Sequence, residues 1–97
     1  MLSAQGIEFL QRQIEKNLSH GVAIVNGAQV RAYKFEINKK NSILQIKLKF
    51  DESVVGRITE YRLVLKTGET FMTKSENMVK DNKRSHLVLF ELETKEA

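Results

Sequence analysis

Apolar and polar residues alternate most cleanly between Ile43 and Phe50, which reads Ile-Leu-Gln-Ile-Lys-Leu-Lys-Phe. Leu44, Ile46, Leu48 and Phe50 fall on one face, and Gln45, Lys47 and Lys49 on the other. This period of two marks a half-buried antiparallel strand. It predicts that Leu44, Ile46 and Leu48 are buried and that Lys47 and Lys49 are exposed. The segments on either side must supply apolar partners for its inner face.

Ahead of this strand, Ile7, Leu10, Ile14 and Leu18 recur at spacings of three and four, which predicts a helix over Ser3 to Leu18. Ser3 is placed to cap it, and Glu8 precedes Arg12 by one helical turn. Gly21, after Ser19 and His20, reads as the terminator. Phe9 lies off the stripe, where it either widens the buried face or meets a partner. Val22 to Val25 is a short apolar run ending in Asn26-Gly27, the dipeptide that favours a type I′ hairpin turn. The returning strand, Ala28 to Ile37, places Tyr33, Phe35 and Ile37 on one face but leaves Val30 and Ala32 on the wrong parity. A bulge near Arg31, or a strand start buried on both faces, restores the register.

Asn38 to Asn41 reads as a polar loop, and Asp51-Glu52-Ser53 ends the central strand. Ile58 to Lys66 is a further strand, with Tyr61, Leu63 and Leu65 opposed to Glu60, Arg62, Val64 and Lys66. Thr67-Gly68 turns it into Glu69 to Thr73. Lys74 to Ser85 reads as a long polar loop anchored by Met78 and Val79. In the last strand, His86 to Glu93, Leu87 to Phe90 is apolar throughout, as in a strand covered on both faces. Thr94 to Ala97 reads as a frayed tail.

The pattern predicts a single α+β domain over residues 1–97, with a helical region at 1–20 and an antiparallel β region at 21–93. An N-terminal helix packs on a five- or six-stranded curved sheet, drawn into a small sandwich or partial barrel. Five strands with the helix over one face is the simplest version.

Composition narrows the chemistry more than the fold. The chain has no Cys, which excludes disulfides, thiol catalysis and thiolate zinc sites. No apolar run approaches the ~20 residues of a membrane span, and the N-terminus lacks the cationic start of a signal peptide. A cytoplasmic or virion setting fits. Proline is absent, so no backbone N–H is lost to it. The net charge of +4 permits an anionic partner without requiring one.

His20 and His86 sit at predicted element boundaries with no second ligand at metal spacing. Asp51 and Glu52 are adjacent, so their side chains diverge, and a solvated turn accounts for them. No catalytic, cofactor or metal site is predicted. The one constellation is basic: Arg31, Lys34, Lys47, Lys49, Arg62 and Lys66 on outward faces, Arg31 only if the bulge exists. Pairing the strands of Lys47/Lys49 and Arg62 would make a cationic patch able to track a phosphate backbone. Glu36, Glu60 and Glu69 interrupt it, and the strand aromatics have inward parity rather than the outward placement that stacks on bases. A mixed-charge solvated face is therefore preferred to a nucleic-acid site. Phe9, Val22, Ile24 and Met72 are the candidate partner contacts, with Val22 to Val25 as an edge.

The helix, Val22-Ala-Ile-Val-Asn-Gly27, the hairpin Ile58-Thr-Glu-Tyr-Arg-Leu-Val-Leu-Lys-Thr-Gly-Glu69 and the terminal apolar strand together resemble, in layout, small β-rich tail and assembly proteins of bacteriophages and prophages of Gram-positive bacteria. The resemblance implies a non-enzymatic assembly component without a cofactor. Its partners would be copies of itself or other assembly proteins. The alternative function is a nucleic-acid-binding regulator using the basic face.

Overall fold

The N-terminal helix begins where Ser3 caps it: in the computed structural model, which describes residues 3–93, Ser3 Oγ accepts from Gly6 N–H at 3.0 Å. Helix α1 spans Ala4–Asn17. Seven strands follow: β1 (Leu18–Val25), β2 (Ala28–Arg31), β3 (Lys34–Lys40), β4 (Ile43–Phe50), β5 (Gly56–Leu65), β6 (Thr70–Lys80) and β7 (His86–Glu93). The expectations placed on Met1, Leu2 and the 94–97 tail lie outside the described residues.

The strands form two antiparallel sheets, ordered β2-β1-β5-β6 and β3-β4-β7. The fold is thus the expected α+β class in its expected sandwich form, with seven strands in two sheets where five or six strands were expected, and the sheets do not close into a barrel. Ala23, Val25, Ile58, Tyr61 and Leu63 face Leu44, Ile46, Leu48, Phe50, Val88 and Phe90 across the core. The rings of Phe50 and Tyr61 meet with centroids 6.1 Å apart. As expected, Leu44, Ile46 and Leu48 are fully buried. Lys47 and Lys49, expected in water, are half-buried. Their cross-strand neighbours are Glu36 and Leu89 for Lys47, and Lys34 and Leu87 for Lys49, so their aliphatic stems share the outer face with leucines.

As expected, the helix packs on the sheets, with Ile14 against the core. It crosses the end of the sandwich formed by the β3–β4 and β5–β6 turns. Gln11 Nε2 donates to Asn41 O at 3.0 Å, Glu15 pairs with Lys39 at 3.1 Å, and Lys66 N donates to Asn17 O at 2.8 Å. This narrow contact explains why Gln11 is buried while Leu10 of the expected stripe is exposed. Nor does Gly21 end the helix. Leu18 is both C-cap and first residue of β1, and Gly21 is a buried strand residue where a Cβ would stand 2.2 Å from Leu48 Cδ2.

The segment 28–37 is two strands, not one strand with a bulge. Ala32 N donates to Gly21 O and Tyr33 N to Lys49 O, so the chain hands over from the first sheet to the second at Ala32–Tyr33. The crossing resets the parity: Val30 and Ala32 pack on the core from one sheet, Phe35 and Ile37 from the other. Tyr33, expected inward, stands at the corner 59% exposed. Asn38 to Lys40, expected as loop, continue β3, and the turn is Asn41-Ser42, with Asn41 at φ 55°. The Asn26-Gly27 turn has both φ values positive, at 51° and 82°, as type I′ requires.

Two further expectations reverse. β1 is interior, between β2 and β5, so Val22 to Val25 is no edge. β7 is an edge strand, and Leu87 is 54% exposed. Lys74 to Lys80, expected as loop, continue β6, the other edge on that side of the sandwich.

Candidate functional site

The strands β6 and β7 are the free edges of the two sheets on the side opposite the β2–β3 crossing. A seam runs between them, closed at one end by the loop of residues 81–85. Chemistry-bearing side chains converge at this end, and the register of β6 brings them there. Between the pairs Ile58–Met78 and Glu60–Ser75, β6 carries one residue more than β5. Glu76, Met78 and Lys80 turn inward, while Ser75, Asn77 and Val79 face solvent.

Tyr61, from the middle of β5, is fully buried, and its hydroxyl is the hub of the cluster. It lies 2.8 Å from His86 Nε2, 3.4 Å from Glu76 Oε2 and 3.9 Å from Met78 Sδ. Ring centroids of Tyr61 and His86 are 6.0 Å apart. Burial raises the Tyr61 phenol pKa well above its ordinary value, and the Glu76 carboxylate adds to the effect. Burial lowers the His86 pKa; nearby Lys80 lowers it too, while Glu76 pulls the other way. One phenolic proton serves two acceptors. With neutral His86 accepting at Nε2, Tyr61 donates to the ring. With His86 protonated, Nε2–H donates to the phenol oxygen and Tyr61 donates to Glu76. The cluster thus ties β5, β6 and β7 together across the seam, whichever way the protons run.

Lys80 lies below this cluster, 2% exposed. Its Nζ donates to Val54 O at 2.7 Å, Asp51 O at 2.8 Å and Asp81 O at 3.2 Å. An ammonium has three protons, and each finds a backbone carbonyl. The residue pins the 51–54 turn and the start of the 81–85 loop to the end of β6. A cavity of about 320 Å³ opens beside it, lined by Met78, Val79, Lys80, Arg84, Ser85 and His86.

None of Tyr61, Glu76, Lys80 and His86 was expected to form a cluster. The signal was present: with β6 extended, parity alone turns Glu76, Met78 and Lys80 to one face. Polar Lys74 to Asn77 read instead as loop, because an edge strand can expose one face along its whole length. The other acidic and imidazole candidates are engaged elsewhere. Asp51 accepts from Ser53 N and Oγ at 3.0 and 2.5 Å, and these bonds lower its pKa. His20 Nδ1 lies 2.9 Å from Ser19 Oγ, and burial together with Arg31 lowers its pKa. Among the described residues no group of His, Asp and Glu could hold a metal ion.

The basic residues do not form one patch. Arg31 and Arg62 flank Val22 on the outer face of the first sheet, where Arg62 pairs with Glu60. Lys34, Lys47 and Lys49 occupy the outer face of the second sheet, and Lys34 pairs with Glu36 at 3.3 Å. Lys66 lies in the turn at the helix end. The expected pairing of the Lys47/Lys49 strand with the Arg62 strand fails because β4 and β5 belong to different sheets.

The partner contacts also separate. Phe9 is 54% exposed on the helix, whereas Val22 is buried, Ile24 half-buried and Met72 packed on the core. Compared with known proteins, the chain matches no family model, no curated protein and no solved structure.

Proposed function

We propose that this chain is a non-enzymatic assembly module that pairs with a second copy of itself along β7, in a phage or prophage particle or its cytoplasmic assembly pathway. The observation that carries the reading is the character of β7. It is an edge strand of eight residues whose register with β4 has no irregularity, and its outward positions begin with Leu87 and Leu89. The other edges are less suited to pairing. β6 carries two register shifts and β2–β3 is broken by the crossing between sheets. Antiparallel pairing about a two-fold axis would set the acidic end of one β7, Glu91 and Glu93, beside the other copy's Leu87 end with Lys49 and Lys34 behind it. Opposite charges then meet on both halves of the joint.

The burial of Tyr61 supports the non-enzymatic part of the reading, because its phenol is withheld from any substrate. The nucleic-acid alternative has less support: its cations are divided between opposite faces, and among the described residues the exposed aromatics are Phe9 on the helix and Tyr33 at the crossing between sheets, neither on a strand. Sedimentation equilibrium from micromolar to hundreds of micromolar protein tests the proposal. A monomer–dimer equilibrium is expected, and Leu87→Lys, at an exposed position, is expected to return the monomer without changing the melting temperature. A strict monomer across that range sinks self-pairing.

A further inference from the structure

We propose that the cavity between the end of β6 and the 81–85 loop is an anion site that takes a phosphate group carried on a small apolar body. This proposal is independent of self-pairing through β7. The argument starts from the donors that line the cavity. Among the described residues, the Arg84 guanidinium and Ser85 hydroxyl have no side-chain partner, and His86 is engaged only at Nε2, by Tyr61. Among the described residues no fully enclosed side-chain nitrogen or oxygen lacks a partner, so His86 Nδ1, which has none, is reached by solvent. A planar guanidinium fork, a hydroxyl and a ring N–H are the donor types that bind phosphate oxygens from several directions.

Tyr61 decides what His86 presents. While Nε2 accepts the phenolic proton, the neutral ring must carry its hydrogen on Nδ1. When the ring is protonated, Nδ1–H remains, and the phenolic proton passes to Glu76. In both of these states a donor is available at Nδ1; in the third arrangement, a neutral ring donating from Nε2 while Tyr61 donates to Glu76, Nδ1 is an acceptor, and a bound anion selects against it. The charges around the cavity agree. The Lys80 ammonium lies beneath it, with its protons held by carbonyls rather than by a carboxylate. Of the nearby carboxylates, Glu76 is directed at Tyr61 and Asn77 N, Asp81 accepts from Lys83 N, and Asp51 from Ser53. None lines the cavity. Met78 and Val79 form its apolar wall, and Val79 is 66% exposed. The volume of about 320 Å³ suits a small ligand.

The chain has only two histidines, so proton NMR of the imidazole rings reads the site directly, with His20 as internal control. Inorganic phosphate, phenyl phosphate and acetate are titrated at constant ionic strength and neutral pH. The expected result is a saturable shift of the His86 ring protons with inorganic phosphate and several-fold tighter binding of phenyl phosphate. His20 should not move, and the His86 titration should shift to higher pH at saturating ligand. Arg84→Gln, at an exposed residue without a partner, should abolish the response while leaving the His20 signals in place. A response that never saturates, moves both histidines alike, or survives Arg84→Gln overturns the site. Acetate binding as tightly as inorganic phosphate overturns the assignment to phosphate.

Discussion

Position 21 lets the two sheets approach, because the missing Cβ leaves the space that Leu48 fills from the facing sheet. Its conformational freedom is not what matters; the close packing is. The expected effect of Gly21→Ala is overpacking, with a loss of roughly 1–3 kcal/mol in urea unfolding. Leu48→Ala should cost about 2–5 kcal/mol alone. Because the two changes share one space, the double variant should lose clearly less than the sum. A Gly21→Ala protein as stable as the parent would show that the sheets do not approach this closely. The sequence pattern misassigned this glycine to the helix end because its partner lies 27 positions away, at Leu48, and local spacing carries no trace of such a contact. By contrast, Ser3, Asn26 and Gly27 were legible, since a cap and a type I′ turn are set by neighbouring backbone.

The same division between local and distant causes runs through the elements. β4 was read from its alternation alone, because one face is core and the other is not. β7 has the opposite pattern, apolar at every position from Leu87 to Phe90, yet it is an edge. Apolar continuity reports what a strand could bury, and Leu87 is left 54% exposed. β6 looked like loop because its outer face is polar, and with it the Tyr61–Glu76–His86 cluster was lost from the reading. That cluster gives the fold a pH dependence whose sign can be worked out. His86 in the folded protein sits below its ordinary value of 6.5, chiefly through burial, so the unfolded chain takes up a proton first as the pH falls. Its contribution to stability is full above about 6.5 and is lost as the pH drops from there towards the folded value. His20 is lowered in the same direction by burial and by Arg31. The urea midpoint should therefore fall between pH 7 and pH 5. His86→Gln should reduce that slope, and the addition of His20→Gln should flatten it. Asp51, also lowered, acts only in the carboxylate range below this window. A midpoint constant from pH 7 to pH 5 in the parent protein would contradict the burial of both rings.

At the scale of the whole molecule, helix and sandwich together are elongated, 46 × 25 × 22 Å, and the sandwich closes on one side only. There the short crossing at Ala32–Tyr33 carries the chain from β2 in one sheet to β3 in the other, whereas on the opposite side β6 and β7 leave the seam open. Natural sheets guard such openings with bulges and inward-pointing charge. β6 has both: two register shifts, and Lys74, which pairs with Tyr61 on the inward parity and reaches across to donate from Nζ to Leu89 O at 3.2 Å. This lysine also occupies a carbonyl of β7, the strand proposed to pair. It therefore acts as a competitor of the second copy, with its own bond exposed to water and cheap to break. Lys74→Ala is expected to release the Leu89 carbonyl and strengthen dimerisation, while changing the stability of the monomer by less than about 0.5 kcal/mol, as for an ordinary surface substitution. The measurement is the dimer dissociation constant by sedimentation equilibrium, beside that of Leu87→Lys. The two variants should move it in opposite directions. If Lys74→Ala leaves association unchanged or weakens it, while Leu87→Lys still abolishes it, then the outer leucine face makes the contact and the backbone edge of β7 does not.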